Sequence, residues 1–266
     1  MPQRLATPQT HTPVTSPAVL VTGGAARIGA AIARRFGLAG WHVVIHYRRS
    51  EAPAQALAAS LPSAETIPCD LADSEQAKAM ITDLAARLPD WCALVCNASV
   101  FELDEATALD TAVFARALAV NARAPAELAQ AYLAAARARA GRRVIQLTDQ
   151  KLANPNPDFF SYTMSKHALA ATVPMLAMSA ARSDDRIYGL APGAILPSHD
   201  QSDAEADRSH RMNLLARRTG ADEVADACLF LAQGHLASGQ TLFVDSGQHL
   251  LRQPRDIIYL ERAARA

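Results

Sequence analysis

Thr22-Gly23-Gly24-Ala25-Ala26-Arg27-Ile28-Gly29 follows the apolar run 18–22 without a break and leads straight into an alanine-rich stretch of helical period. A strand, a glycine turn and a helix in that order make a phosphate-binding turn. Glycines let the backbone approach a pyrophosphate, and the new helix offers the anion its free N–H groups. Apolar runs of strand length recur at 42–47, 66–69, 93–97, 143–147, 186–191 and 242–244. Helical patterns lie between them at about 28–38, 52–61, 74–88, 112–139, 161–182 and 221–233. This alternation is the signature of βαβ units. It predicts an α/β fold: one Rossmann-type, doubly wound domain over residues 18–266, with a seven-stranded parallel sheet and helices on both faces.

Three stretches break the pattern. Residues 1–17 carry four prolines and no periodicity, so they read as a flexible arm. Residues 195–215 begin Ile195-Leu196-Pro197-Ser198-His199-Asp200 and continue with acidic and small residues. Ligands bind beyond the carboxyl ends of strands in such sheets, so this insertion reads either as a lid over a substrate or as a surface loop. His199 and Asp200 are its candidate contacts. The tail from about residue 248, with Pro254-Arg255-Asp256-Ile257-Ile258-Tyr259, holds enough apolar residues to dock on a neighbour.

Composition excludes several classes of partner. Among 266 residues, 26 Lys and Arg offset 26 Asp and Glu, so no overall charge draws the molecule to nucleic acid or anionic lipid. No apolar run approaches the ~18 residues of a spanning helix, and the N-terminal stretch lacks the apolar centre of a secretory signal. The cytoplasm is the expected compartment. Cys69, Cys92, Cys96 and Cys228 are too scattered for a disulfide framework, and neither they nor the eight histidines show ligand spacing, so no metal is expected.

The second strand ends in His46-Tyr47-Arg48-Arg49-Ser50. A carboxylate at this point binds the ribose hydroxyls of NAD, whereas arginines and a serine suit the 2′-phosphate of NADP. Further on, Tyr162 and Lys166 stand four apart in a helical segment, one turn from each other on the same face. An ammonium there, with a cationic nicotinamide, lowers the pKa of the phenol towards the range useful for proton transfer.

Together these motifs resemble the short-chain dehydrogenase/reductase family over residues 18–247. Further matching positions are Asp70-Leu71 after the third strand, Asn97-Ala98-Ser99 after the fourth, Asn121 in the long helix, and Pro192-Gly193 after the sixth. The resemblance implies a cofactor site made by Gly23, Arg27, Ile28, Gly29, Tyr47, Arg48, Arg49, Ser50, Asp70, Leu71, Asn97, Ala98, Ser99, Lys166, Pro192 and Gly193. Within it, Asp70 would contact the adenine, Lys166 the nicotinamide ribose, and Asn121 would support a proton-relay water. A homotetramer is also implied.

Three departures narrow the resemblance. Asp149 stands thirteen residues before Tyr162, where the family usually has a serine. Arg27 replaces the last-but-one glycine of the turn, and Phe101 lies two residues after Asn97-Ala98-Ser99. All three are similar to the pteridine and dihydromonapterin reductases. In that subgroup the arginine contacts cofactor phosphate and substrate, the phenylalanine stacks the pterin on the nicotinamide, and the aspartate works with the tyrosine in proton transfer. The resemblance thus implies catalytic Asp149, Tyr162, Lys166 and Asn121, and substrate contacts from Arg27, Phe101, Asp149 and Tyr162. The implied activity is NADPH-dependent reduction of a pteridine. Two other readings stay open: an ordinary carbonyl reductase with Thr148 in place of the missing serine, and a nucleotide-binding regulator without turnover. Cys96, where the closest pattern often has a second asparagine, departs from that subgroup as well.

Overall fold

Strands that are apolar on both faces need cover on both, and the chain supplies it by alternating strand and helix. The computed structural model describes residues 16–198 and 200–265. Most of the expected arm and His199 therefore lie outside the described residues. In chain order the elements are β1 (Ala18–Val21), α1 (Arg27–Leu38), β2 (His42–Tyr47), α2 (Glu51–Ala59), β3 (Ala64–Pro68), α3 (Ser74–Arg87) and β4 (Trp91–Cys96). There follow α4 (Thr111–Leu118), α5 (Ala124–Ala135), β5 (Arg143–Leu147), α6 (Phe160–Ser179), β6 (Arg186–Pro192), α7 (Asp203–Ser209), α8 (Ala221–Gln233), β7 (Thr241–Val244) and α9 (Ile257–Ala263).

The seven strands form one sheet in the order β3-β2-β1-β4-β5-β6-β7, and every pairing is parallel. The order reverses between β1 and β4, so their carboxyl ends diverge and open a crevice. Two apolar cores lie on opposite faces. One packs Ile32, Phe36, Val224 and Cys228 of α1 and α8 against Val19 and Val43. The other packs Ile81, Leu84, Leu128 and Tyr132 of α3 and α5 against Leu20 and Leu94.

The expected helix 112–139 is broken. A π-helical turn at Ala119–Arg123 separates α4 from α5, and α5 ends at Ala135. Proline at position 125 lacks the N–H that an α-helix would direct at the Asn121 carbonyl, so the regular ladder cannot pass. The insertion 195–215 is partly ordered as α7, begun by Ser202, whose hydroxyl accepts from the Glu205 N–H at 3.3 Å. Part of the tail docks on its own chain, where Ile257 and Ile258 are buried, while Leu250 near its start stays exposed. Polar anchors preceding α9, described below, draw it inward.

Candidate active site

The glycine turn is built by close approach. Gly23 has φ +61, and a Cβ on Gly29 would stand 2.2 Å from the Gly23 carbonyl and 2.6 Å from Asn97 Nδ2. Asn97 is why the space is so tight. Its side chain donates to the carbonyls of Thr22 (2.9 Å) and Gly23 (3.2 Å), tying the end of β4 to the turn after β1. Thr22 Oγ1 completes the junction by accepting from the N–H groups of Asn97 and Ala98 at 2.9 and 3.0 Å. Arg27 occupies the position of the missing glycine with φ 54, a left-handed backbone that a non-glycine residue adopts only under local constraint.

His46 was only the first residue of a charged segment in sequence; in the structure it is a joint. Its Nδ1 accepts from the Gly23 N–H at 3.0 Å and its Nε2 meets the Cys69 carbonyl at 3.0 Å. One imidazole thus ties the glycine turn to the ends of β2 and β3. Burial pushes its pKa down to about 4, so it is neutral at physiological pH, with the proton on Nε2.

This junction floors a cavity of about 670 Å³ beyond the carboxyl ends of the strands. Gly23, Arg27, Ile28, Gly29, Arg48, Arg49, Ser50, Asp70, Leu71, Asn97, Ala98, Ser99, Lys166, Pro192 and Gly193 line it together with Phe101, Asp149 and Tyr162. Two expected residues are elsewhere. Tyr47 belongs to the apolar core with Ile45 and Ala54. Asn121 spends its side chain inside the protein: Oδ1 accepts from the Val100 N–H (2.8 Å) and Ser99 Oγ (3.1 Å), and Nδ2 donates to the Val100 carbonyl (2.9 Å) and Ser165 Oγ (3.0 Å).

The cavity fits an anionic dinucleotide. Helix α1 starts without a side-chain cap and without an acidic residue in its first turn, leaving its N–H groups and positive end to an anion. Ser50 begins α2 with no capping bond from its hydroxyl. Among the described residues no carboxylate pairs with Arg48 or Arg49, and both are exposed at the rim.

At the other end of the cavity stand Tyr162, Asp149 and Lys166, the residues expected to be catalytic. The Tyr162 hydroxyl donates to Asp149 Oδ2 at 2.6 Å, while Asp149 Oδ1 accepts from the Lys151 N–H at 2.9 Å. Lys166 Nζ donates to the Leu147 carbonyl at 2.7 Å and lies 5.6 Å from the centre of the Tyr162 ring. Burial lowers the Lys166 pKa to about 8. The Tyr162 pKa moves opposite to the sequence expectation. Burial, then the adjacent Asp149 carboxylate, drive it well above the ordinary phenol value, and burial also raises Asp149. Without a cationic cofactor the tyrosine is a held acid, not a phenolate.

Helix α6 carries Tyr162 and Lys166, and its entry is pinned from outside the motif. The buried Asp104 carboxylate accepts from the Ser161 N–H at 2.9 Å and from the Ser161 hydroxyl, while its carbonyl accepts from the Phe160 N–H at 3.2 Å. Nothing in the sequence pattern marks Asp104. Phe101 stacks on Phe159 with ring centres 4.1 Å apart and meets Tyr162 edge-on at 4.7 Å. It thus has both a packing role and a place on the cavity wall. Arg27 reaches across to the insertion, donating to the Pro197 carbonyl at 2.9 Å. Asp200 turns instead to Arg262 of α9, 3.3 Å away. His210, at the end of α7, lines the cavity although sequence spacing did not single it out.

Among the described residues no helix is long and apolar enough to cross a membrane, and no cluster of His, Cys, Asp and Glu could hold a metal. A family model described as enoyl-(acyl carrier protein) reductase matches residues 23–249. Pteridine reductase 1 of Leishmania tarentolae is 30% identical over 90% of this chain and 98% of its own. The crystal structure of FolM alternative dihydrofolate reductase 1 from Brucella suis, in complex with NADP, is 32% identical and superposes with a TM-score of 0.83 over 90% of this chain and 97% of that one. Its counterpart from Brucella canis, also complexed with NADP, is 32% identical with a TM-score of 0.84, covering 92% and 98%. Matching across nearly the whole length, with the glycine turn, Tyr162 and Lys166 assembled around one cavity, the chain belongs to the short-chain dehydrogenase/reductase family of oxidoreductases.

Proposed function

We infer that the protein is an NADPH-dependent reductase of a pteridine, a dihydropterin or dihydrofolate-like ring. The observation that carries this reading is the 2.6 Å hydrogen bond between Tyr162 and Asp149 at the cavity wall, beside Phe101. The 30% identity to a pteridine reductase and the 32% identity to alternative dihydrofolate reductases support it.

The residues present fit NADPH. The first turn of α1 would take the pyrophosphate, Arg48, Arg49 and Ser50 the 2′-phosphate, Asp70 and Leu71 the adenine end, and Lys166, Asn97 and Pro192-Gly193 the nicotinamide end. When bound, the cofactor supplies the hydride to an electrophilic ring carbon. The protein's part is the proton. Tyr162 holds one on its phenol oxygen, and Asp149, its pKa raised by burial, shares it. Delivery to a ring nitrogen leaves a phenolate that the Lys166 ammonium stabilises and that Asp149 can reprotonate from solvent. A carboxyl group also suits the N–H groups of a pterin, which a serine hydroxyl would match less well. Phe101 offers a face for the flat ring, and Arg27 a donor at its edge. The backbone of Asn121, at the π-turn, is the group through which that residue would hold a relay water, because its side chain is fully engaged.

The carbonyl-reductase reading needs Thr148 as oxyanion donor. Its hydroxyl donates to the Leu190 carbonyl at 3.1 Å, which weighs against that role. We place the enzyme, as a single domain with the insertion 195–215 over the substrate, in the cytoplasm, in keeping with its four free, buried cysteines. A homotetramer is the assembly expected by family. The test is initial-rate NADPH oxidation with dihydrobiopterin, dihydromonapterin and dihydrofolate beside simple ketones. Pterin turnover is the expected result, and brisk ketone reduction with inert pterins would overturn the reading.

A further inference from the structure

The segment after β7 returns to the catalytic loop of its own chain and is held there by polar contacts. The Gln253 N–H donates to Asn154 Oδ1 at 3.1 Å. The Arg255 guanidinium grips the Asp158 carboxylate with Nε and Nη2 at 2.7–2.9 Å, and the Asp256 N–H donates to the same carboxylate at 2.7 Å. Asp256 Oδ2 takes the Lys151 ammonium at 2.8 Å, with both side chains nine-tenths buried or more. Every one of these partners lies between Asp149 and Tyr162 in sequence. The loop that carries the catalytic pair is therefore the loop that anchors the tail.

Beyond the anchor, Asp256 starts α9 by accepting from the Ile258 N–H at 3.1 Å. Ile257 and Ile258 are each 5% exposed, and both line the cavity. Ile258 packs in one apolar cluster with Phe159 and Tyr162, at whose margin Phe101 and Tyr259 sit. The far side of α9 is braced by α7, where Arg208 pairs with Glu261 and Arg262 with Glu205, each at 2.5 Å. A tail that merely covered a core would point its apolar side chains at apolar strands. This one puts two branched side chains on the cavity that contains the acid, fixed from behind and below.

We propose that Ile257 and Ile258 form, within a single chain, the wall that limits how large a substituent the substrate ring can carry, and that Arg255–Asp158 and Lys151–Asp256 hold this wall in register with Tyr162. The choice of pterins as probes rests on the pteridine reading; the wall itself does not. Branched side chains braced on both sides cannot yield to a bulky group, so compact ring substrates are favoured over those bearing a long extension.

The experiment compares kcat/KM for dihydrobiopterin and dihydrofolate, and in parallel for a small and a bulky aryl ketone. The proteins are the full-length wild type, Ile257→Ala/Ile258→Ala and Ile258→Trp, with NADPH binding followed by fluorescence. The alanine variant is expected to raise the bulky-to-compact ratio about tenfold, and the tryptophan variant to lower it, with NADPH affinity unchanged. Where the alanine variant does not fold, Ile258→Val is expected to move the ratio the same way by about twofold. A ratio unmoved by any folded variant overturns the wall. Turnover of ketones alone overturns the pteridine reading, while the ketone ratio still decides the wall. A wild type inert on both series overturns both.

Discussion

Tyr162 and Asp149 face each other across a 2.6 Å hydrogen bond at the cavity wall, the phenol donating and the carboxylate accepting, with Tyr162 buried and Asp149 partly exposed. Burial raises the proton affinity of both members; the Asp149 carboxylate raises that of Tyr162 further, whereas the phenol's hydrogen bond lowers that of Asp149. Asp149→Asn keeps the shape but removes the acceptor charge and the exchangeable acid. It is expected to cut kcat for pterin reduction by about 10²-fold or more, the usual weight of a general acid, with little change in NADPH affinity. Steady-state rates beside fluorescence titration of NADPH check this, and a loss confined to NADPH binding would contradict it.

Lys166 is expected to give the reaction its pH dependence. Its pKa is lowered to about 8 by burial, with the Asp149 charge working in the opposite direction. Reduction is expected to fall as pH rises through about 8, because the ammonium that stabilises the phenolate is lost there. In Asp149→Asn the opposing charge is gone, so this limb should move to lower pH. The profile of kcat/KM for both proteins measures it, and a limb unmoved by the substitution would remove Lys166 from the account.

Arg48 and Arg49 stand at the rim without carboxylate partners among the described residues, so their charge is available to a phosphate. Replacing both with alanine is expected to weaken NADPH binding about 10- to 100-fold while leaving NADH nearly unaffected. Titration with the two cofactors at fixed salt is the check. Equal losses for both would show that the arginines do not read the 2′-phosphate.

His46 ties stability to pH. Its folded pKa of about 4 lies below the unfolded value of 6.5, so the unfolded chain binds the extra proton between these values. Its contribution is therefore fully present above pH 6.5 and is lost as pH falls towards 4, on the order of 3 kcal/mol in all. Thermal unfolding at pH 7 and pH 5 should show wild type losing more Tm than His46→Asn loses, although the variant starts lower because the joint to Gly23 and Cys69 is gone.

Much of this protein is written locally. The alternation of strand-length runs and helical periods determined the seven parallel strands, since a strand covered on both faces has to be apolar throughout and its crossover has to be a helix. The glycine turn, the arginines after β2, and Tyr162 with Lys166 lie in contiguous motifs, so spacing alone carried them. The exchange of serine for Asp149 was readable only against the family's pattern, which fixes the distance from the tyrosine. Tertiary structure decided what depends on residues distant in sequence. His46 became a joint only when β1, β2 and β3 were brought side by side. Asp104 reached Ser161 across 57 residues. Asp256 met Lys151 because the tail folded back, and the Tyr162 pKa rose because burial and the neighbouring Asp149 charge both act on it. Periodicity and spacing report which face of an element is apolar; how far a buried group is removed from water, and which charge stands beside it, is set by the packing of the whole chain.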